Sequence, residues 1–161
     1  MKTLIRSVLR PLASILLWLQ QRVTIGAQIV LVSGQGVLLV RHRHRPGWHL
    51  PGGGILGSED PAKCAVRELQ QETGYQVVGM PSLLGLYPTA SSRWISNYVA
   101  VFYSIYFEPP DRPASTIAIA DCQWFPVDHL PPGASSFCRA MIYVVSQSVS
   151  SAQWKRIPST E

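Results

Sequence analysis

PGGGILGSEDPAKCAVRELQQETGY, Pro51 to Tyr75, is the stretch on which the reading of this chain turns. It opens with three consecutive glycines, a flexible loop by composition, and then changes character. Asp60 is a good helix N-cap and Pro61 suits the first helical position, where its missing N–H costs nothing. Gly74 is placed to end the helix in a left-handed conformation. The spacing therefore predicts a helix over 61–73, with Ala62, Ala65, Val66, Leu69 and Thr73 as its buried stripe. Glu68 and Glu72 fall one turn apart at the edge of that stripe. Two local rules oppose them there. Like charges at (i, i+4) repel by about 0.2–0.5 kcal/mol, and both glutamates sit at the negative end of the helix dipole, where cations are preferred. A divalent cation resolves both conflicts, since Mg²⁺ takes carboxylate oxygens together with waters and substrate phosphates. The plainer alternative is a solvated helix face on which Arg67 or Lys63 pairs with the glutamates.

Upstream, Val23–Val32 and Gly36–Arg41 are β-rich runs separated by Ser33-Gly34-Gln35, which reads as a hairpin. A short strand is expected at Trp48–Leu50. Downstream, strands are expected at 76–80, 83–87, 97–107 and 121–125, with a loop over the proline-containing 108–115 and a helix from Ser135 to about Ser148. Phe137, Met141, Val144 and Val145 share one side of that helix. Strands around one central helix, with another at the end, make a mixed α/β domain over 23–150. A tail over 151–161 follows it, and an N-terminal amphipathic helical segment over 1–22 precedes it.

That segment carries Leu4, Ile5, Val8, Leu9, Leu12, Leu16 and Leu19 at helical spacing, with Arg6 and Arg10 off the stripe. Its unbroken apolar run is too short for a membrane span of about 20 residues, and Gln20-Gln21-Arg22 is a poor signal-peptide cleavage site. The segment is read as resting on the domain, on a partner or on a membrane surface.

The chain has 161 residues and a net charge of +5, enough for one domain and too apolar, at 47% hydrophobic, for a disordered one. No acid precedes Glu59, so the first 58 residues are wholly basic in their charge. Cys64, Cys122 and Cys138 form no CxxC, which argues for a reducing compartment, read as cytoplasmic. Arg41, Arg43 and Arg45 share one strand face if the strand extends that far, with His42 and His44 on the other. Arg41, next to the apolar run, is the candidate phosphate-binding residue, against the alternative of charges guarding an edge strand. Trp48 is read as packing beneath the glycine loop. Trp94, in the polar stretch 89–97, is a candidate substrate-facing aromatic. Cys64 has no partner base, which argues against a thiol nucleophile.

Gly53, five residues, Glu59, seven residues, then Arg67-Glu68-Leu69-Gln70-Gln71-Glu72-Thr73-Gly74-Tyr75 resembles the Nudix box, G-x5-E-x7-R-E-U-x-E-E-x-G-U with U apolar, over residues 53–75. The flanks Val37–Arg41, Trp48–Gly54 and Trp124–Val127 resemble the family too. The resemblance implies a Nudix-type α/β/α sandwich with a mixed β-sheet. It also implies a Mg²⁺- or Mn²⁺-dependent hydrolase that cleaves the pyrophosphate bond of a nucleoside diphosphate linked to another moiety. It gives Glu68 and Glu72 as metal ligands with the Gly52 carbonyl, and Arg67 and Glu59 as braces of the loop and helix. Glu68, Glu72 and Arg67 are the catalytic set. Arg41, Gly52, Gly53 and Trp94 are expected against substrate, and Gly74 is structural. The base is Glu68 through a water, or a loop acid such as Glu108, Asp111 or Asp121. The expected partner is a small nucleotide and not a nucleic acid, with a homodimer and a membrane or partner contact through 1–21 left open. The chain departs from the pattern at Gln71, where the family has the first of two adjacent glutamates, and lacks acids at Leu56 and near Ala118. These departures support an alternative reading, a catalytically weak nucleotide-binding and regulatory domain.

Overall fold

A computed structural model describes residues 22–89, 95–111 and 117–149. The expectations for the N-terminal segment, for Trp94 and for the tail lie outside these residues. β1 (Arg22–Ser33) and β2 (Gly36–His42) form the expected hairpin, closing at Val32↔Val37 and Ser33↔Gly36. The sheet continues through β5 (Ser82–Pro88), β6 (Ile95–Ser104) and β8 (Ile119–Phe125), in the order β5-β6-β1-β2-β8. β1 and β6 run parallel, and the other pairs are antiparallel, so the sheet is mixed.

Helix α1 (Pro61–Thr73) covers one face and α2 (Ser136–Ser148) the other. The alternation of strand side chains divides the core between them. Ala27, Ile29, Leu31 and Leu38 pack towards α1, with Ala62, Ala65 and Leu69. Val30, Val32, Val37 and Leu39 pack towards α2, with Cys138, Met141, Ile142 and Val145. A strand buried on both faces must be a continuous apolar run, and β1 and β2 are nearly that. The two layers of helix around a mixed sheet are the expected sandwich.

Both α1 ends follow the sequence. Asp60 accepts the backbone N–H groups of Ala62 and Lys63, and Gly74 closes the helix at φ 80°. In α2, Ser135 caps by accepting from Cys138 N–H.

Three expectations change. Pro51–Gly54 was expected as a flexible loop, but Gly52–Gly54 forms β3, antiparallel to β1 at Gly26↔Gly54, Ala27↔Gly53 and Gln28↔Gly52. Glycine permits this because the backbones nest closely: a Cβ on Gly52, at φ +151°, would lie 2.3 Å from the Ala27 carbonyl oxygen. Trp48 and His49 make isolated bridges to Ala134 and Val40 and no strand of their own. The run expected as one strand over 97–107 breaks after Ser104. The Ser104 hydroxyl donates to the Tyr106 carbonyl (2.9 Å) and accepts from Tyr106 N–H (3.1 Å), turning the chain. β7 (Phe107–Glu108) then pairs with β4 (Gln76–Val77) in a separate two-stranded sheet.

Candidate active site

α1 lies against β3, and the contact is built around Arg67. Its Nε donates to Glu59 Oε1 at 2.8 Å and its Nη2 to Glu59 Oε2 at 2.9 Å, a fork on a carboxylate. Nη1 donates to Glu68 Oε1 at 2.6 Å and to Gln71 Oε1 at 3.2 Å, and Nη2 reaches the Gly54 carbonyl at 3.2 Å. These hydrogen bonds hold the Glu59 carboxyl down to about 2. Glu59 and Glu68 raise Arg67 further above its already high value. One guanidinium thus ties the loop before α1, the helix and β3 together, the bracing expected of Arg67 and Glu59.

The two glutamates take different environments. Glu68 lies beside Gly53, whose added Cβ would come within 2.5 Å of the Glu68 carboxyl carbon. Only a residue without a side chain leaves room for that carboxylate. Glu72 is buried, and its Oε2 accepts from Gly52 N–H at 3.0 Å. Burial pushes the Glu72 carboxyl up to about 7, the Gly52 N–H opposes the shift, and Glu68 adds to it. The structure therefore brings Glu68, Glu72, Arg67, Glu59, Gly52 and Gly53 into one cluster and rejects a solvated helix face. Lys63 is exposed and takes no part.

His42 was read only as lying, with His44, on the strand face opposite Arg41. Its Nε2 lies 3.6 Å from Glu72 Oε1, too long for a hydrogen bond. Burial first, then His49, lowers the His42 pKa. Alternation along β2 was the available signal: it sets His42 on the opposite side from Arg41. Arg41 pairs with Asp121 at 3.4 Å and sits over the Trp48 ring at 5.7 Å. Trp48, read as packing beneath the glycine loop, packs edge-on against Phe125 in the core on the α2 side. Cys64 directs its Sγ at the Gly54 carbonyl, 3.3 Å away, and burial pushes the thiol up to about 11.

Two clefts join beside β3. One, of about 270 Å³, is lined by Gly52–Gly54, Ile25 and Tyr98. The other, of about 690 Å³, runs to the start of α2 at Ser135 and Ser136. Gln28, Arg45, Thr89, Asn97 and Val99 line both. On the far side of Glu72 a third cleft, of about 340 Å³, includes Asp121 and Cys122. The 690 Å³ cleft carries no carboxylate, so its size does not mark the chemistry; Glu72 lines the third cleft, and Glu68 lies against Gly53 of β3. Sequence reasoning missed Gln28, whose buried Oε1 has no hydrogen-bond partner. The signal was one polar residue inside the apolar run Ala27–Val32.

Among the described residues no three His, Cys, Asp or Glu side chains converge on a metal-sized site. Glu68 and Glu72 remain, a donor set that fits a hard cation completed by water and phosphate oxygens. Also among the described residues, no helix is long and apolar enough to cross a membrane.

A family model described as NUDIX domain matches residues 21–143. A CMP-5'-(N-acetyl-N-hydroxy-3-aminopropyl)phosphonate hydrolase of Streptomyces rubellomurinus is 30% identical over 109 residues, 64% of this chain and 52% of its own length. An RNA pyrophosphohydrolase of Brucella abortus is 33% identical over 104 residues, 52% of this chain and 57% of its own length. The chain thus spans about half the length of the curated relatives it matches. A MutT NUDIX hydrolase from Burkholderia pseudomallei superposes with a TM-score of 0.69 at 21% identity, covering 78% of this chain and 100% of that one. At that identity the likeness shows the fold alone.

Proposed function

The chain belongs to the Nudix family, and from that premise we propose that it hydrolyses the pyrophosphate bond of a nucleoside diphosphate linked to another moiety. The observation that carries this reading is the placement of Glu68 and Glu72. Both carboxylates are turned onto β3 beside a groove, despite their mutual repulsion and the burial of Glu72. The curated relatives are named for hydrolysis at phosphorus, the chemistry such a site suits.

In this reading the diphosphate lies along Gly52–Gly54, and the organic group extends past Gln28 and Arg45 into the 690 Å³ cleft. Glu68 and Glu72, with the Gly52 carbonyl, are the residues that would hold Mg²⁺ or Mn²⁺. The metal would supply neutralisation of phosphate charge and a more acidic water. The chain's own contribution is positional. Arg67 fixes the Glu68 carboxylate, which is proposed to take the proton of the attacking water. The Gly52 N–H fixes Glu72. Arg45, an exposed cation shared by the joined clefts, attracts the anionic substrate. Water then forms a new P–O bond while the bridging P–O bond breaks, releasing a nucleoside monophosphate and the phosphorylated second moiety.

The experiment is a panel of nucleotide sugars, dinucleotides and nucleoside triphosphates, with phosphorus-containing products followed with Mg²⁺, with Mn²⁺ and with chelator. Metal-dependent release of a nucleoside monophosphate supports the reading. Undiminished turnover by Glu72→Gln defeats it. The regulatory alternative draws on Gln71, which offers Arg67 an amide oxygen and not a charge. Tight metal-dependent binding across the panel without turnover would favour it.

A further inference from the structure

Gln28 interrupts the most apolar part of β1. Around it Ala27, Ile29, Val30, Leu31 and Val32 are fully buried. Ala27, Ile29 and Leu31 pack towards α1 and Val30 and Val32 towards α2, so alternation puts Gln28 on the α2 face. Its Oε1 is buried without a hydrogen-bond partner, the only such side-chain atom among the described residues. An unsatisfied buried acceptor opposes folding and calls for an explanation. Neighbouring polar groups of the 690 Å³ cleft are committed to the fold. Asn97 Oδ1 accepts from the Thr24 hydroxyl, and the Thr89 hydroxyl donates to the Asn97 carbonyl at 3.4 Å. The Ser135 hydroxyl accepts from Cys138 N–H at 3.1 Å, and His49 Nε2 donates to the Pro46 carbonyl at 2.9 Å. The Gln28 acceptor serves no such purpose.

We propose that Gln28 is the specificity-determining residue for the substrate's nucleobase, its carboxamide pairing with a planar base edge that carries an N–H donor. This rests on the reading that lays the diphosphate along Gly52–Gly54. Gln28 pairs in register with Gly52, and a Cβ on Gly52 would fall 2.6 Å from Gln28 Cγ. The side chain therefore stands where the group attached to the diphosphate turns from the 270 Å³ cleft into the 690 Å³ one, both of which it lines. Beyond it the walls include Leu50, Pro88, Val99 and Phe137. Such apolar surfaces, with few polar groups between them, suit a flat ring better than a hydroxyl-rich sugar. A carboxamide carries an acceptor and a donor in one plane, and glutamine pairs bidentately with a base edge of the complementary pattern. Its terminal torsion is broad, so rotation brings Oε1 from its unpaired position to the cleft. A base N–H then supplies the hydrogen bond that the folded chain does not.

Calorimetric binding to the full chain with Mg²⁺ tests this without reference to turnover. The probes are the adenosine, guanosine, cytidine and uridine 5′-(α,β-methylene)diphosphates, whose bridging carbon resists hydrolysis. Methylenediphosphate and its ribose 5-ester are the controls without a base. The native chain should prefer the best base over the worst by about 10- to 100-fold, the worth of a bidentate pair. Gln28→Met, unbranched and close in length, should erase the differences among the bases and leave both controls unchanged. It should also melt no earlier than the native chain, since the orphan acceptor is gone. Gln28→Leu provides the same comparison if the methionine variant fails to fold. Absent or equal affinities for the four bases in the native chain overturn the proposal, as do differences that persist in Gln28→Met. A loss shared by the ribose control (a sugar hydroxyl as the donor) or by methylenediphosphate (a structural role) overturns it too. The two readings fail separately: base discrimination without turnover removes the hydrolase and keeps the role of Gln28, whereas turnover without discrimination does the reverse.

Discussion

Gly53 and Gly54 are neighbours on one strand, and replacing each with alanine separates the position of Glu68 from everything else about the site. Neither has a positive φ, so the backbone tolerates a Cβ at both. A Cβ on Gly54 meets nothing within 4 Å. A Cβ on Gly53 meets the Glu68 carboxyl carbon at 2.5 Å and its oxygens at 2.6 and 2.8 Å. Carbon atoms rest about 3.5–4.0 Å apart, so the carboxylate must retreat by roughly 1 Å. It is the far end of a flexible side chain and can do so, at the expense of its 2.6 Å hydrogen bond from Arg67. Stability should therefore move by less than about 1 kcal/mol, because no core packing is lost. Activity should not survive as well: a 1 Å misplacement of a catalytic group can cost about 100-fold. The assay is kcat/KM for the best substrate of the panel, with thermal unfolding measured on the same preparations. The expected pattern is both variants intact in melting, Gly54→Ala changed in kcat/KM by at most a few-fold through the groove it lines, and Gly53→Ala about 100-fold slower. Full activity in Gly53→Ala would refute the role given to Glu68. A matching loss of stability would show that the substitution had disturbed the fold instead.

Other expectations follow from the same geometry. Burial raises Glu72 from 4.5 to about 7, so its contribution favours the fold below pH 4.5 and is lost as pH rises through about 7. Metal-free protein should lose roughly 3 kcal/mol over that window in denaturant titrations, and Glu72→Gln should flatten the slope; identical slopes would refute the assignment. Arg67→Lys keeps the charge but not the fork that spans Glu59, Glu68 and the Gly54 carbonyl, and should lower kcat/KM by about 10- to 100-fold, read in steady-state kinetics. Burial pushes Cys64 up to about 11 and Cys122 and Cys138 up to about 12. Iodoacetamide at neutral pH should therefore leave the native chain unlabelled by mass and modify all three thiols after unfolding.

What could be read without coordinates was whatever local chemistry fixes. The α1 boundaries follow from Asp60, Pro61 and Gly74, each acting within its own turn, and the β1–β2 hairpin follows from Ser33-Gly34-Gln35 between apolar runs, of which the structure keeps Gly34 and Gln35 as the turn and Ser33 in β1. The proximity of Glu68 and Glu72 follows from helical periodicity. The features that escaped depend on partners distant in sequence. Three glycines in a row look like flexibility until β1, some 25 residues earlier, supplies a backbone for them to nest against. Ser104 ends β6 because its hydroxyl finds Tyr106, a choice that strand propensity does not weigh. The register shift between Arg41 and His42 lies where β2 meets β8, so the surroundings of both depend on a strand almost 80 residues away. The clefts draw their walls from β1, β3, β5, β6 and α2 together, and no local pattern contains them.

The charge balance around β3 bears on the choice between hydrolase and nucleotide-binding module. A site that grips a diphosphate by itself should present cations to it. Here the charged side chains clustered on Gly52–Gly54 and on the Arg67 that braces it are three carboxylates, Glu59, Glu68 and Glu72, and one guanidinium whose donors are already committed to Glu59, Glu68 and the Gly54 carbonyl. An anionic ligand meets net negative charge there, and the exposed Arg45 at the cleft junction compensates only part of it. Tight binding of a diphosphate without a metal would therefore run against the electrostatics of the site. Affinity for a nucleoside diphosphate derivative should rise steeply with Mg²⁺ and collapse on chelation, whether or not turnover follows. Calorimetric titration that gave equal affinity with chelator and with Mg²⁺ would remove the cation from the account and, with it, the reason for Glu68 and Glu72 to share a turn.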